Sequence, residues 1–187
     1  MSEQPPRGEA SYEDLKKLPP HVVGELVGGE LHVSPRPSSR HALAATVLGA
    51  ELVGPFGRGK QGPGGWLLLH EPELHLGQDV LVPDRAGWRR ERMPEMPDTV
   101  GFTLAPDWVC EVLSPSTAAL DRGRKLRVYA REGVKHLWLV DPEVQVLEVY
   151  RLEGWRWLLL DTHVGAASVR AEPFEALALE LGAFWAR

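Results

Sequence analysis

The segment Asp107–Leu113, DWVCEVL, sets one carboxylate inside an apolar run. A short apolar run bounded by turn residues reads as a buried strand. Alternate residues of a strand share a face. Val109, Glu111 and Leu113 therefore point one way, and Trp108, Cys110 and Val112 the other. A carboxylate between Val109 and Leu113 is costly to bury unpaired. Glu111 thus demands a cation, a basic partner or an opening to solvent. A buried salt bridge, or a strand emerging at the sheet surface, would meet that demand without any chemistry.

The elements around this strand follow from local signals. Residues 1–20 form a loose lead-in, with SYEDLKKL as one short helix between proline pairs. In GELVGGELHVSP, Gly28-Gly29 sits between apolar pairs and predicts a two-residue hairpin. Ser38 and Ser39 are candidate caps for a helix over about 39–53. Residues 54–65 read as a Gly-rich loop. Strands are expected at 66–70, 73–76 and 79–82, then a charged, Pro-rich exposed loop at 89–100. Ser114-Pro115-Ser116-Thr117 opens a helix over about 117–132, closed by Gly133. Strands at 136–140, 145–151 and 155–160 complete the order, and the tail from Pro173 is ambiguous between strand and short helix. The strand–helix–strand unit over 107–140 suits a parallel crossover. The expected architecture is α/β (α+β): a mixed central sheet flanked by helices, with an N-terminal hairpin and a C-terminal β-meander, in one domain over 21–187.

Composition narrows the function classes. The chain has 187 residues, 26 acidic and 21 basic, for a net charge of −5. A polycation that coats nucleic acid is excluded, so contact with DNA or RNA needs a local basic surface. The single cysteine, Cys110, excludes an intramolecular disulfide and a multi-cysteine zinc site. The start of the chain lacks a signal-peptide pattern and no apolar run is long enough to span a bilayer. The expected location is the cytoplasm, with no membrane partner.

Asp84 is a second candidate, after Val80-Leu81-Val82-Pro83 where a strand meets a bend; taken alone, a plain Pro-Asp turn explains it better than catalysis does. Asp79, Asp107 and Asp141 read as turn or strand-start residues. Lys125 is the third candidate. At roughly 100° per residue it falls beside Leu126 and Tyr129, at the edge of the helix face that packs on the sheet. Its ammonium could reach the strand carrying Glu111, or it could pair with Asp121 at i, i+4 on a wet surface. Two carboxylates can hold a hard divalent cation through oxygen, and a lysine beside it stabilises charge developing on a phosphoryl group. That combination suits phosphodiester hydrolysis.

Pro83-Asp84 followed by Glu111-Val112-Leu113, with helices in this order, resembles the PD-(D/E)XK, restriction-endonuclease-like nuclease superfamily. The block APDWVCEVLSPSTAALDRGRKLRVYAREGVKHLWLVDP is similar to a bacterial branch of endonuclease-like proteins, as are GELVGGELHVSP and His41. The likeness spans about residues 20–160. One position departs: the superfamily's lysine belongs two residues after the glutamate, where this chain has Leu113. In the resembling branch the lysine has migrated to the following helix, which maps to Lys125. The resemblance implies Asp84 and Glu111 as metal ligands for Mg²⁺ (or Mn²⁺), Lys125 as the catalytic lysine, and the Val112 carbonyl as a further ligand. It implies an endonuclease acting on nucleic acid, double-stranded DNA above all, as a homodimer.

Other readings stay open at this level. A catalytically inactive binding module could keep the same fold, and a hydrolase of small phosphoesters could use the same groups. His70 and His75 could assist metal binding, although surface placement explains them. Cys110 reads as a buried inert thiol. Arg85, Arg89, Arg90 and Arg92 form the densest basic cluster and could track a phosphate backbone or simply be solvated. Trp155 and Trp157 on the 144–160 strands read as core or dimer-interface residues.

Overall fold

The computed structural model describes residues 9–186. Residues 1–8 of the expected lead-in lie outside that range. The remainder of the lead-in carries α1 (Tyr12–Lys16), started by Ser11, whose backbone N–H donates to Asp14 Oδ2 at 3.0 Å. Strands β1 (Val23–Val27) and β2 (Glu30–Ser34) pair in the expected hairpin, with Leu26 opposite Leu31. Gly28 and Gly29 turn it with φ of 62° and 78°, the left-handed conformation that glycine adopts without strain. Helix α2 (Ser39–Leu52) follows. Ser38 caps it by accepting the His41 N–H on Oγ at 3.3 Å, and Ala44, Ala45, Leu48 and Leu52 form its buried stripe.

A wide π-helical turn, Val53–Gly57, extends α2 into the predicted loop. Then come β3 (Trp66–His70), β4 (Glu73–Leu76), β5 (Asp79–Leu81), β6 (Arg85–Arg89), β7 (Gly101–Phe102) and β8 (Trp108–Val112). The expected single helix over 117–132 is instead α3 (Ala118–Leu120), a π-helical turn at Asp121–Lys125 and α4 (Leu126–Arg131). Strands β9 (His136–Asp141), β10 (Val146–Glu153) and β11 (Arg156–Val164) make the meander. The tail resolves into both of its alternatives, β13 (Leu179–Glu180), which pairs with the preceding β12 (Ser168–Val169), and then α5 (Gly182–Trp185).

The six-stranded sheet runs β11-β10-β9-β8-β6-β3, with β8 and β9 parallel as the crossover requires and the other pairs antiparallel. A five-stranded sheet, β2-β1-β5-β4-β7, packs beside it. The architecture is therefore mixed α+β, as expected, with the second sheet as an addition. Strand alternation on β8 separates the cores as predicted. Trp108, Cys110 and Val112 face α2, Trp138 and Phe174. Val109 and Leu113 face Tyr129, Leu137 and Leu139, together with Leu74 and Leu81 of the smaller sheet. Burying aliphatic and aromatic side chains of this size is worth about 1.5–3 kcal/mol each, which holds β8 rigidly in the middle.

One expectation is corrected at β6. Residues 85–89 are not the edge of an arginine-rich loop but an internal strand, hydrogen-bonded to both β3 and β8. Ala86, Gly87 and Trp88 supply its buried positions. The flanking arginines hid a period-two pattern whose inner residues are small or aromatic.

Candidate active site

Glu111 is buried on β8, and the tertiary structure supplies its basic partner. Lys125 Nζ lies 2.8 Å from Glu111 Oε1, 2.8 Å from Glu25 Oε1 and 3.2 Å from Asp121 Oδ1. The lysine side chain is only 2% exposed. Glu111 comes from the large sheet and Glu25 from β1 of the small one, so a single ammonium joins the two sheets. Tyr129, a turn farther along on α4, donates its hydroxyl to Glu111 Oε1 at 2.5 Å. The lysine and tyrosine contacts both land on Oε1, leaving the second oxygen of Glu111 free of them. Glu25 Oε1 is further fixed by the Val82 N–H at 2.8 Å.

Asp84 precedes β6 and meets the end of β8 from the other side. Its Oδ2 accepts the Val112 N–H at 2.7 Å, and its Oδ1 lies 3.1 Å from His41 Nε2. Asp84 and Glu111 line one cleft of about 430 Å³, together with Glu25, His41, Asp121 and Lys125. The structure thus brings all three predicted residues to one place. Lys125 touches Glu111, while Asp84 is held by His41 and the β8 backbone.

The electrostatics follow from burial and crowding. Burial alone would depress the Lys125 pKa, but the carboxylates of Glu111 and Glu25, with Tyr129 and Asp121, hold it well above its ordinary value. Lys125 is an ammonium throughout the physiological range. Burial raises the Glu111 pKa well above normal, and Asp121, Glu25 and Asp84 add to this against the opposing pull of Lys125. Asp121 shifts upward for the same reasons. Glu111 and Asp121 thus share one ammonium in a buried site, where crowding of like charge disfavours their ionised forms.

Sequence reasoning does not single out Glu25, and it offers an Asp121–Lys125 pair only on a wet surface, as the alternative to a lysine that reaches Glu111. The structure corrects the second point: Asp121 and Lys125 are both buried. A usable signal exists for Glu25, because VGELV repeats the pattern that singles out Glu111, a carboxylate within an apolar strand. Leu113, at the superfamily's usual lysine position, is buried in the core. Lys125 reaches Glu111 from the helical turn instead.

The other candidates have plain structural roles. Asp79 accepts the Gly28 N–H and pairs with Arg131. Asp107 accepts the Arg89 N–H and pairs with Arg92. Asp141 accepts from Glu143 and Val144 in its own turn. His75 pairs with Glu73, and exposed His70 lies against the Asp84 carbonyl. Cys110 is buried on the opposite face from Glu111. Arg85 is drawn inward and donates to the Ala45 carbonyl, passing so close to Gly49 that a Cβ there would collide with the guanidinium. Arg89 stacks 4.1 Å over Trp66. The expected basic cluster is therefore largely engaged in packing, and Arg90 is its freest member, bonded only to the Pro94 carbonyl. Trp157 donates to the Leu126 carbonyl, whereas Trp155 is 81% exposed at the β10–β11 turn.

Among the described residues, no helix is long and apolar enough to cross a membrane. The model of the Uma2 family, described as "Putative restriction endonuclease", matches residues 10–182. No curated protein matches the chain. Among solved structures, a protein from Anabaena variabilis described as a "putative nuclease belonging to DUF820" is similar. The likeness has 22% identity and a TM-score of 0.69, and covers 94% of this chain and 97% of that one. It shows a shared fold.

Proposed function

The chain belongs to the Uma2 family, and from that premise and the geometry of its cleft we propose that it is a metal-dependent nuclease that hydrolyses phosphodiester bonds of DNA. One observation carries the reading: a lysine on the helix reaches Glu111 at 2.8 Å although Leu113 stands where a strand-borne lysine would be.

The residues present fit a hard divalent cation. The donors are carboxylate oxygens, and the carboxylates around the cleft outnumber its one ammonium. Among the described residues no group of three or more His, Cys, Asp or Glu side chains is placed to hold a metal ion, so waters would have to complete the shell of an ion held by Asp84 and Glu111. That suits Mg²⁺ or Mn²⁺, since Mg²⁺ typically takes one or two carboxylates and keeps several waters. Asp84 and Glu111 would hold the ion, with the Val112 carbonyl beside them. Such an ion polarises a phosphoryl oxygen and lowers the pKa of its bound water.

The chain's own groups do the rest. Lys125, fixed as an ammonium, cannot take a proton from the attacking water. It orients that water through Glu111 and neutralises charge on the phosphoryl oxygens. Tyr129 and Glu25 hold the glutamate and the lysine in place. The exposed Trp155 and the edge strand β11 would be where a second copy docks, which cutting both strands of a duplex would use.

The test is nicking of plasmid DNA across a titration of Mg²⁺ and Mn²⁺, with light scattering for the oligomeric state. Wild type should nick only with metal, and Asp84→Ala, Glu111→Ala and Lys125→Ala should each abolish it. A folded wild type that stays inert on DNA with every metal tried would favour a non-catalytic binding module. A monomer at micromolar concentration would remove the dimer.

A further inference from the structure

Arg36 stands where two cavities meet. A second cavity of about 530 Å³ adjoins the cleft that holds Glu111 and Lys125. Asp84 and His41 line both, so the pair forms a shared wall. Arg36 also lines both, from the segment that joins β2 to α2. The two linings differ in charge. Six carboxylates border the first cleft, which suits a cation; the second has only Asp84 and Glu71, set against Arg36, Arg85, His21 and His70. The other cations of the first cleft are already engaged. Lys125 is locked among three carboxylates, and His41 lies against Asp84. Arg36 is exposed, and among the described residues its guanidinium takes part in no hydrogen bond or ion pair. Its backbone is bracketed by Pro35 and Pro37. Proline fixes its own φ and pushes the residue before it into an extended conformation. Strand β2 anchors one end of the segment and the Ser38 cap of α2 the other. Arg36 therefore rides on stiff backbone with only its side chain left to order, which lowers the entropy cost of a contact there.

We propose that Arg36 is the substrate-binding arginine of this site: its guanidinium holds the phosphate next to the scissile one on the DNA strand, and the nucleotide on that side sits in the second cavity. The inference rests on the nuclease reading above and adds where the strand lies. An acidic chain needs a local basic surface to hold nucleic acid, and the arginines of β6 are largely engaged in packing. A guanidinium presents paired donors that match two phosphate oxygens. The carboxylates of the first cleft repel a phosphate, so the strand is steered to the side where they are few. Pockets for small ligands run from about 300 to 1,000 Å³, and the second cavity falls within that range.

The experiment uses the full-length protein and a fluorescein-labelled DNA oligonucleotide. Without metal, anisotropy across a salt series should show Arg36→Ala binding about tenfold more weakly than wild type, as loss of one charge-assisted hydrogen bond predicts. Its logarithmic salt slope should be smaller by about one, and Arg36→Lys should recover the slope. With Mn²⁺, cleavage kinetics should place the loss in KM, the mark of a group that binds substrate and transition state alike. Oligonucleotides with one neutral methylphosphonate, moved position by position, locate the phosphate. Wild type should lose affinity at one position, to which Arg36→Ala is indifferent. Arg40→Ala removes an equal charge at the same end of α2, from an exposed pair with Glu143, and should bind as wild type does; a matching loss there would overturn the specific role of Arg36. Circular dichroism melts of the variants should match wild type. Arg36→Ala that binds and cleaves like wild type would overturn the subsite and leave the nuclease reading intact. Binding that depends on Arg36, without cleavage under any metal, would overturn the nuclease reading and keep Arg36 as a phosphate-binding residue. No DNA binding at all would overturn both.

Discussion

Lys125 Nζ lies 2.8 Å from Glu111 Oε1, and both side chains are buried. This contact joins a helical turn to the central strand β8, and through Glu25 the same ammonium reaches the smaller sheet. The pair is therefore at once a candidate catalytic element and a structural joint. Substitutions can separate those two roles.

Lys125→Met should abolish nicking and destabilise the fold by about 3–5 kcal/mol, the range for breaking one side of a buried ion pair. The loss should depend on pH. Without Lys125, the pKa of Glu111 in the folded state rises further above its unfolded value. A carboxyl group shifted that way keeps its proton in the fold at low pH and costs stability as pH rises past the unfolded value. Lys125→Met should thus melt closer to wild type at pH 5 than at pH 8. An equal deficit at both pH values would contradict the charge argument.

Asp84 has two jobs that substitution can split. Asp84→Asn keeps an oxygen for the Val112 N–H, which in wild type donates to the carboxylate at 2.7 Å. Asp84→Ala leaves that N–H buried and unpaired, at about 1–3 kcal/mol. Both variants should be inactive, but chemical denaturation should find only the alanine variant clearly weakened. Equal stability for the two would mean that water replaces the carboxylate at the backbone.

Tyr129→Phe removes a hydroxyl that donates to Glu111 Oε1 at 2.5 Å. Hydrogen bonds to charged groups contribute about 1.5–3 kcal/mol, so a comparable drop in unfolding free energy is expected. Nicking should slow at saturating DNA while DNA affinity stays unchanged, because the ring touches the glutamate and not the substrate. An unchanged rate would make the tyrosine purely structural.

Burial holds the Cys110 thiol well above its ordinary pKa, with Asp84 and Glu111 adding to the effect. The folded state therefore retains this proton above pH 9, where an unfolded chain loses it, and the stabilisation from the neutral thiol fades as pH rises past that point. At pH 8 Cys110 should resist a disulfide reagent such as Ellman's until denaturant is added. Rapid labelling of native protein would show that the β8 core opens readily.

The arginines near β6 should divide in the same way. Arg92 pairs with Asp107 at 2.8 Å, so Arg92→Ala should lower the melting temperature. Arg90 bonds only to a carbonyl. Arg90→Ala should instead flatten the salt dependence of DNA binding, its logarithmic slope falling by about one for a phosphate that the arginine neutralises. A salt dependence that moves with Arg92 and not Arg90 would reverse this assignment.

Much of this was legible before folding, because it depends on period-two and capping signals carried by neighbouring residues. Alternation along DWVCEVL assigned both faces of β8 and isolated Glu111 as a charge in need of a partner. Gly28-Gly29 announced the hairpin, and Ser38 the start of α2. Strand β6 was not legible, since Arg85 and Arg89 look solvated in one dimension. Their guanidinium groups turn inward to the Ala45 carbonyl and the Trp66 ring.

The amino-acid order by itself determined that a carboxylate would stand within an apolar strand and need a cation, a basic partner or solvent, because burial of a lone charge is prohibitive. Only the tertiary structure decided which groups answer. Lys125, from a helical turn, answers Glu111; Glu25 from a different sheet shares that ammonium, and His41 from a helix on the opposite face of β8 meets Asp84, and nothing in their spacing relates them. Their convergence is set by how the two sheets and α2 pack, a relation between surfaces that no local pattern contains.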